Sequence, residues 1–292
     1  MPHRLGRFAL LGLFLLGLIS GCCAKRWDVL SKEERATLQR ILNHWETWMS
    51  EEKKKGTAPL LTFEKLYRGL DAEEQKFLDR VRTTDPQRDF GFQGKYLGTG
   101  QGGIRFKRLK GQKIFKKGKR ESLDPQYLPE NVYKAYKQMM KAMKKDLGKI
   151  LLVESGFRSP AYQLYTFLYY TPKHHYSLVE TGHWVALPGY SEHGAPHRQA
   201  IDFINEEGIN GEDNVEDFER LPEYDWLLKN AYRFGFELSY PRGKKGIIPP
   251  PAVLPRSGNL GSSRGAFGAT AGGGITFEPW HWRYSGKLPR VL

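Results

Sequence analysis

Three short segments hold the residues whose types and spacing could do chemistry. Ser191-Glu192-His193 is followed by Ala200-Ile201-Asp202, and Glu278-Pro279-Trp280-His281-Trp282-Arg283-Tyr284 lies further along. The third segment is Ser155-Gly156-Phe157-Arg158-Ser159. His193 or Asp202 alone would mean little, because a lone histidine is more often structural than a ligand. As a set, His193, Asp202 and His281 supply two imidazoles and one carboxylate. That is the ligand complement of a catalytic zinc, which keeps one position open for water. Zinc lowers the pKa of such a water towards neutrality. Glu278, close in sequence to His281, can then take the water's proton and pass it to a leaving amine as general acid.

These segments resemble the VanY-type D-alanyl-D-alanine carboxypeptidases, zinc peptidases that act on peptidoglycan. That group shows S-x-H-x-x-G-x-A-x-D for the first two ligands and E-x-W-H for the base and third ligand. It also has an S-G-[YF]-R-S turn that supplies an arginine. Gly235-Phe236 followed by Tyr240-Pro241 is similar as well. The resemblance covers roughly residues 126–287 and leaves 25–125 unexplained. It implies that Arg158 polarises the scissile carbonyl and stabilises the developing oxyanion, a task suited to a fixed guanidinium in a water-poor site. A structural salt bridge is the alternative for Arg158. Ser191 would help hold the substrate's terminal carboxylate. Trp280 and Trp282 would pack beneath the site and fix the ligand rotamers, with plain core packing the alternative for Trp282.

One departure from the pattern matters. The family runs seven positions from histidine to aspartate, whereas His193 to Asp202 is nine. Two extra residues lie within Gly194-Ala195-Pro196-His197-Arg198-Gln199, and the usual glycine is missing. His197 therefore competes with His193 as ligand, and loss of metal binding is a further alternative. His174, His175 and His183 read as surface or supporting histidines.

The remaining composition bounds the setting. The chain has 292 residues, 39% hydrophobic and 13% aromatic, enough for a sizeable core. Arg4 and Arg7 precede the twelve-residue apolar run Phe8 to Ile19, the pattern of a secretory signal peptide over residues 1–21. Ile19-Ser20-Gly21-Cys22 resembles a bacterial lipobox, in which Cys22 becomes the lipidated first residue; an ordinary signal peptide is the alternative. The cysteines are Cys22 and Cys23 alone. After such a cleavage the folded region has no disulfide framework, and any zinc must be held by histidine and carboxylate. The formal charge of +14 suits an anionic partner. Nucleic acid, anionic phospholipid and acidic envelope polymer all qualify, and export favours the last two.

Residues 25–82 carry helical spacing, with Leu38, Ile41, Leu42, Trp45, Trp48 and Met49 on one stripe. Ser31 with Glu34, and Asp71 with Glu74, form capping-box pairs. Gly98 to Gly103 matches a nucleotide-binding glycine pattern by letter, but a basic run follows it where a helix is needed. From Arg105 to Arg120, nine of sixteen residues are basic and none is acidic. This segment reads as a basic hairpin with Lys-Gly turns at 110–111 and 117–118. It is either a solvated surface or a contact to anionic polymer or membrane. Helices are expected over Glu130–Leu147, Ser159–Tyr170 and Pro222–Phe234, the last closed by Gly235. Strands are expected at Lys149–Val153, Phe236–Tyr240 and 277–284. Residues 243–274, with thirteen glycines or prolines, read as a long loop, either a lid or a segment without a role.

The expected fold is α+β: a small antiparallel sheet flanked by helices and carrying the zinc site, over 126–292. An N-terminal helical region and basic segment, 22–125, precede it. The expected activity is zinc-dependent hydrolysis of the terminal D-alanyl-D-alanine bond of peptidoglycan stem peptides by a lipid-anchored envelope enzyme, with Zn2+ as cofactor and no nucleic-acid partner. The alternatives are an endopeptidase on the same scaffold and a non-catalytic envelope-binding lipoprotein.

Overall fold

A computed structural model describes residues 29–99, 102–211, 215–242, 247–248 and 275–286. Cys22, the signal segment, part of the Gly98–Gly103 run and most of 243–274 lie outside them. Helix α1 (Lys32–Lys55) begins at Ser31, whose side chain accepts from the Glu34 amide while Glu34 returns to the Ser31 amide. It buries Leu38, Ile41, Trp45 and Met49 along one stripe. After the short α2 (Phe63–Tyr67), helix α3 (Ala72–Arg82) starts with the same device at Asp71 and Glu74 and buries Phe77, Leu78 and Val81. Helix α4 (Pro86–Phe90) follows. These helices do not close a core by themselves. Their apolar faces merge with those of α6 (Pro160–Tyr170) and α7 (Leu178–Trp184) in one buried cluster that includes Trp45, Leu66, Leu164, Phe167 and Leu187.

The segment from Phe106 to Pro129, which follows the helical layer, is built of short strands. Strand β1 (Phe106–Leu109) pairs antiparallel with β4 (Gln126–Pro129), and β2 (Lys113–Lys116) pairs with β3 (Lys119–Ser122). The expected basic hairpin is therefore β2–β3 turning at Lys117-Gly118. Lys110-Gly111 instead links β1 to β2, because β1 takes β4 as its partner.

Helix α5 (Glu130–Leu147) packs on a four-stranded antiparallel sheet of order β5–β6–β10–β7, with β5 (Leu151–Ser155), β6 (Ala200–Asn205), β7 (Phe236–Leu238) and β10 (His281–Tyr284). Helices α8 (Val215–Glu219) and α9 (Pro222–Asn230) cover the same side as α5. The two-residue strands β8 (Ile247–Ile248) and β9 (Ile275–Thr276) pair in parallel. Side chains alternate across a strand. Leu151, Val153, Ile201, Phe203, Phe236 and Trp282 join the core under α5, so Leu152, Asp202, Ile204, His281 and Arg283 share the opposite face. Strand β6 was not expected. Its Ala-Ile-Asp-Phe-Ile-Asn run is apolar on both faces except at Asp202 and the terminal Asn205, so it lacks the polar alternation that marks a half-exposed strand. Of the expected strand 277–284, only 281–284 pairs. Phe277–Trp280 makes a turn in which the His281 amide donates to the Glu278 carbonyl at 3.1 Å. Among the described residues no helix is long and apolar enough to cross a membrane.

Trp45 ties the helical layer to the rest. It is fully buried, donates its indole N–H to the Leu66 carbonyl at 2.9 Å and packs against Tyr165 of α6. Trp45→Ala is expected to cost about 3–5 kcal/mol in a urea titration followed by circular dichroism, with both layers melting in one transition. Two separated transitions in the unsubstituted chain would show that the helical layer folds on its own.

Candidate metal centre

The backbone register brings the site together. His281 stands opposite Asp202 on β10 and β6, and Ser155 stands opposite Asp202 on the other side after an irregularity in β5 between Val153 and Ser155. His193 arrives from a 3₁₀ turn, Glu192–Gly194, capped by Ser191, whose Oγ accepts from the His193 amide at 3.3 Å. The two extra residues before Asp202 are absorbed by a second 3₁₀ turn, Pro196–Arg198, which returns the chain to β6. His193 therefore meets Asp202 in spite of the nine-residue spacing, and His197 is exposed on the second turn.

His193, Asp202 and His281 offer ligand atoms that all lie within 4.8 Å of one another, and all three residues are buried. The ring nitrogens are assigned by what each one faces. Nδ1 of His193 is 2.7 Å from the Gly156 carbonyl, which leaves Nε2 facing Asp202 Oδ2 at 3.0 Å. Nε2 of His281 faces Glu192 Oε2 at 3.3 Å, which leaves Nδ1 facing Asp202 Oδ1 at 2.8 Å. Two imidazole nitrogens and a carboxylate thus converge, each imidazole held from behind by an oxygen. This donor set, free of thiolate, fits a three-ligand zinc with its supporting shell. Gly156 is required where it stands. A Cβ there would lie 2.4 Å from the Tyr127 carbonyl, so only glycine lets the 155–159 turn press against β4.

Burial opposes charge throughout, and the neighbours decide the outcome. Burial and then the Arg158 guanidinium hold His193 down at about 4, against the pull of Asp202. Burial also disfavours charge on His281, but Asp202, Glu192 and Glu278 outweigh it and push that imidazole up to about 10. Asp202 stays well below the usual carboxylate range because the two imidazoles overcome its burial. A proton on His281 and a metal at this point would supply the same cationic charge, so metal binding would release protons.

The remaining expected residues surround this cluster. Arg158 Nε donates to Ser155 Oγ at 2.9 Å and Nη2 to Asp202 Oδ2 at 3.1 Å. Glu278 is partly exposed, with Oε2 3.6 Å from His281 Nδ1. Arg158, Ser191 and Glu278 line one cleft with the three cluster residues. Trp280 and Trp282 are buried in the core beneath it. His174, His175 and His183 stand outside the cluster.

The structure adds residues that the motif reading passed over. Glu192 is 6% exposed, and its carboxylate receives Ser239 Oγ at 2.5 Å and Arg283 Nη1 at 3.0 Å besides facing His281. Burial raises its pKa, but His281, Ser239 and Arg283 bring it down to about 2. The Tyr240 ring lies 4.9 Å from that of His281. Arg283 could have been found from the sequence, since two-residue strand periodicity puts it on the face of His281. Glu192 carried no such signal, because adjacent residues diverge unless a tight turn brings both inward. Glu192→Ala is expected to weaken zinc affinity 10- to 100-fold in a competition titration against a chelator, with Glu192→Gln milder. Unchanged affinity in both variants would show that Glu192 does not hold His281.

The chain is similar to several known proteins. The family model for VanY, D-alanyl-D-alanine carboxypeptidase, matches residues 125–249. A D-alanyl-D-alanine carboxypeptidase of Enterococcus faecalis (strain ATCC 700802 / V583) is 34% identical over 108 residues, 37% of this chain and 27% of that one. A putative carboxypeptidase YodJ of Bacillus subtilis (strain 168) is 29% identical over 170 residues, 57% of this chain and 50% of that one. The chain thus spans from about a quarter to half the length of these relatives. Among solved structures, VanYB in complex with D-alanine-D-alanine aligns at 23% identity and a TM-score of 0.41, covering 64% of this chain and 80% of that one. The family match ends before Glu278 and His281, so the sheet register and the distances above bring those two residues to the site. Over residues 125–249 the chain is thus similar to the VanY family of D-alanyl-D-alanine carboxypeptidases.

Proposed function

We propose that this protein is a zinc-dependent D,D-carboxypeptidase that hydrolyses the terminal peptide bond of peptidoglycan stem peptides. The observation that carries the reading is the convergence of His193 Nε2, Asp202 and His281 Nδ1 on one point of a cleft that also holds Glu278 and Arg158. Bound there, zinc would polarise the scissile carbonyl and acidify the attacking water. The chain's own residues account for the rest. Glu278 has a carboxylate that reaches the cleft, so it can accept the water's proton and deliver it to the departing amine as the C–N bond breaks. Arg158 is fixed by Ser155 and Asp202, so its guanidinium meets a developing oxyanion without reorganising. Ser191 uses its Oγ as acceptor for the His193 amide and keeps its hydroxyl proton to donate to a terminal carboxylate. The apolar run before Cys22 supports export, and a lipid at Cys22 would hold the enzyme at the envelope.

Glu278→Gln is expected to retain one zinc per chain and to lose about 10²- to 10⁴-fold in kcat. Undiminished turnover in that variant would contradict the role of Glu278. The bond is read by mass spectrometry of digested muropeptides. Loss of one alanine from pentapeptide stems is expected. Severed cross-links with intact pentapeptides would make the enzyme an endopeptidase.

A further inference from the structure

The family reading does not use the basic hairpin, and its placement is informative. Ile114 on β2 packs against Leu152 and Ile204, and those two side chains project from the sheet face that carries Asp202 and His281. Ile204 and Asp202 are two residues apart on β6, about 7 Å along the strand. The β2–β3 hairpin therefore borders the metal centre on the same face. It is firmly seated. Gln112 makes two hydrogen bonds with the backbone of Val153 on edge strand β5, at 2.8 and 2.9 Å. The Phe115 amide donates to the Glu206 carbonyl at 2.7 Å.

Its outer face is built against local stability. Phe115 is 59% exposed beside the cations. Lys116 lies directly opposite Lys119, a like-charge cross-strand pair. Lys117 occupies the turn with φ 50°, in the left-handed region that a lysine adopts at some cost. Arg105 and Lys107 face Glu130. Among the described residues no ion pair is found for Lys113, Lys117, Lys119 or Arg120. Local disadvantages that recur in one rigid element point to a surface under another constraint.

We propose that this hairpin is a docking surface for the carboxylate-bearing glycan–peptide polymer of the cell wall, holding it beside the cleft. The occupant follows from charge and place. The cations call for a polyanion, Phe115 offers an aromatic face to sugar or peptide, and the shared sheet face puts both next to the site where a stem peptide would be cut. The proposal rests on the envelope peptidase reading above.

The test uses the whole chain and insoluble peptidoglycan stripped of phosphate-bearing polymers. Unsubstituted protein should sediment with it, and the bound fraction should fall as salt rises. Lys117→Glu/Lys119→Glu/Arg120→Glu should weaken that binding at least about tenfold. It should also slow release of alanine from the insoluble polymer and leave kcat/KM on a soluble pentapeptide unchanged. The neutral set Lys117→Gln/Lys119→Gln/Arg120→Gln should show a smaller loss and gives the same reading if the reversal misfolds. Binding that ignores both sets would overturn the proposal. So would charge-dependent binding confined to phosphatidylglycerol vesicles, to phosphate-bearing wall polymer or to DNA. If the soluble pentapeptide is not cut but charge-dependent sedimentation persists, the peptidase reading fails and the docking surface stands.

Discussion

The Asp202 carboxylate is the group on which the site depends. It is 5% exposed, and it is approached by His193, His281 and Arg158 within 3.1 Å. A carboxylate taken out of water costs several kcal/mol unless it is paired and hydrogen-bonded, so every element around it must deliver a donor or a cation. The sheet does most of this. Pairing β10 against β6 in one register sets His281 beside Asp202, and a one-residue slip would send either side chain into the core under α5.

Each group that meets Asp202 is itself held from behind. Gly156 fixes His193 through its carbonyl, Ser155 fixes Arg158, and Glu192 faces His281 while receiving Ser239 and Arg283. These supports come from the 155–159 turn, the 3₁₀ turn at 192–194, the end of β7 and strand β10. The helical layer contributes as well. Phe92, which follows α4, lines the cleft and meets Tyr190 edge-on at 5.7 Å, just before Ser191. The N-terminal helices share a core with α6 and α7, so they support the elements that shape one wall of the site.

Much of this was legible in the sequence where local chemistry decides the outcome. The capping boxes at Ser31 and Asp71, the stripe of α1, the bounds of α5 and the C-cap at Gly235 follow from short-range rules and stand in the structure. The cluster of His193, Asp202 and His281 was legible because these residues sit in dense motifs. What escaped depends on partners far away in the chain. Strand β6 is buried on both faces, so its periodicity is silent. The partner of β1 is β4 rather than β2, a choice made by packing under α5. Glu192 joins the site only because a two-turn 3₁₀ connection lets consecutive side chains both face inward.

If His193, Asp202 and His281 together hold zinc, anomalous diffraction at the zinc edge from crystals of the zinc-loaded protein will show it directly. One strong peak touching His193 Nε2, Asp202 and His281 Nδ1 is predicted. A peak that engages His197 in place of His193, or no peak at this cleft in fully loaded protein, would contradict it.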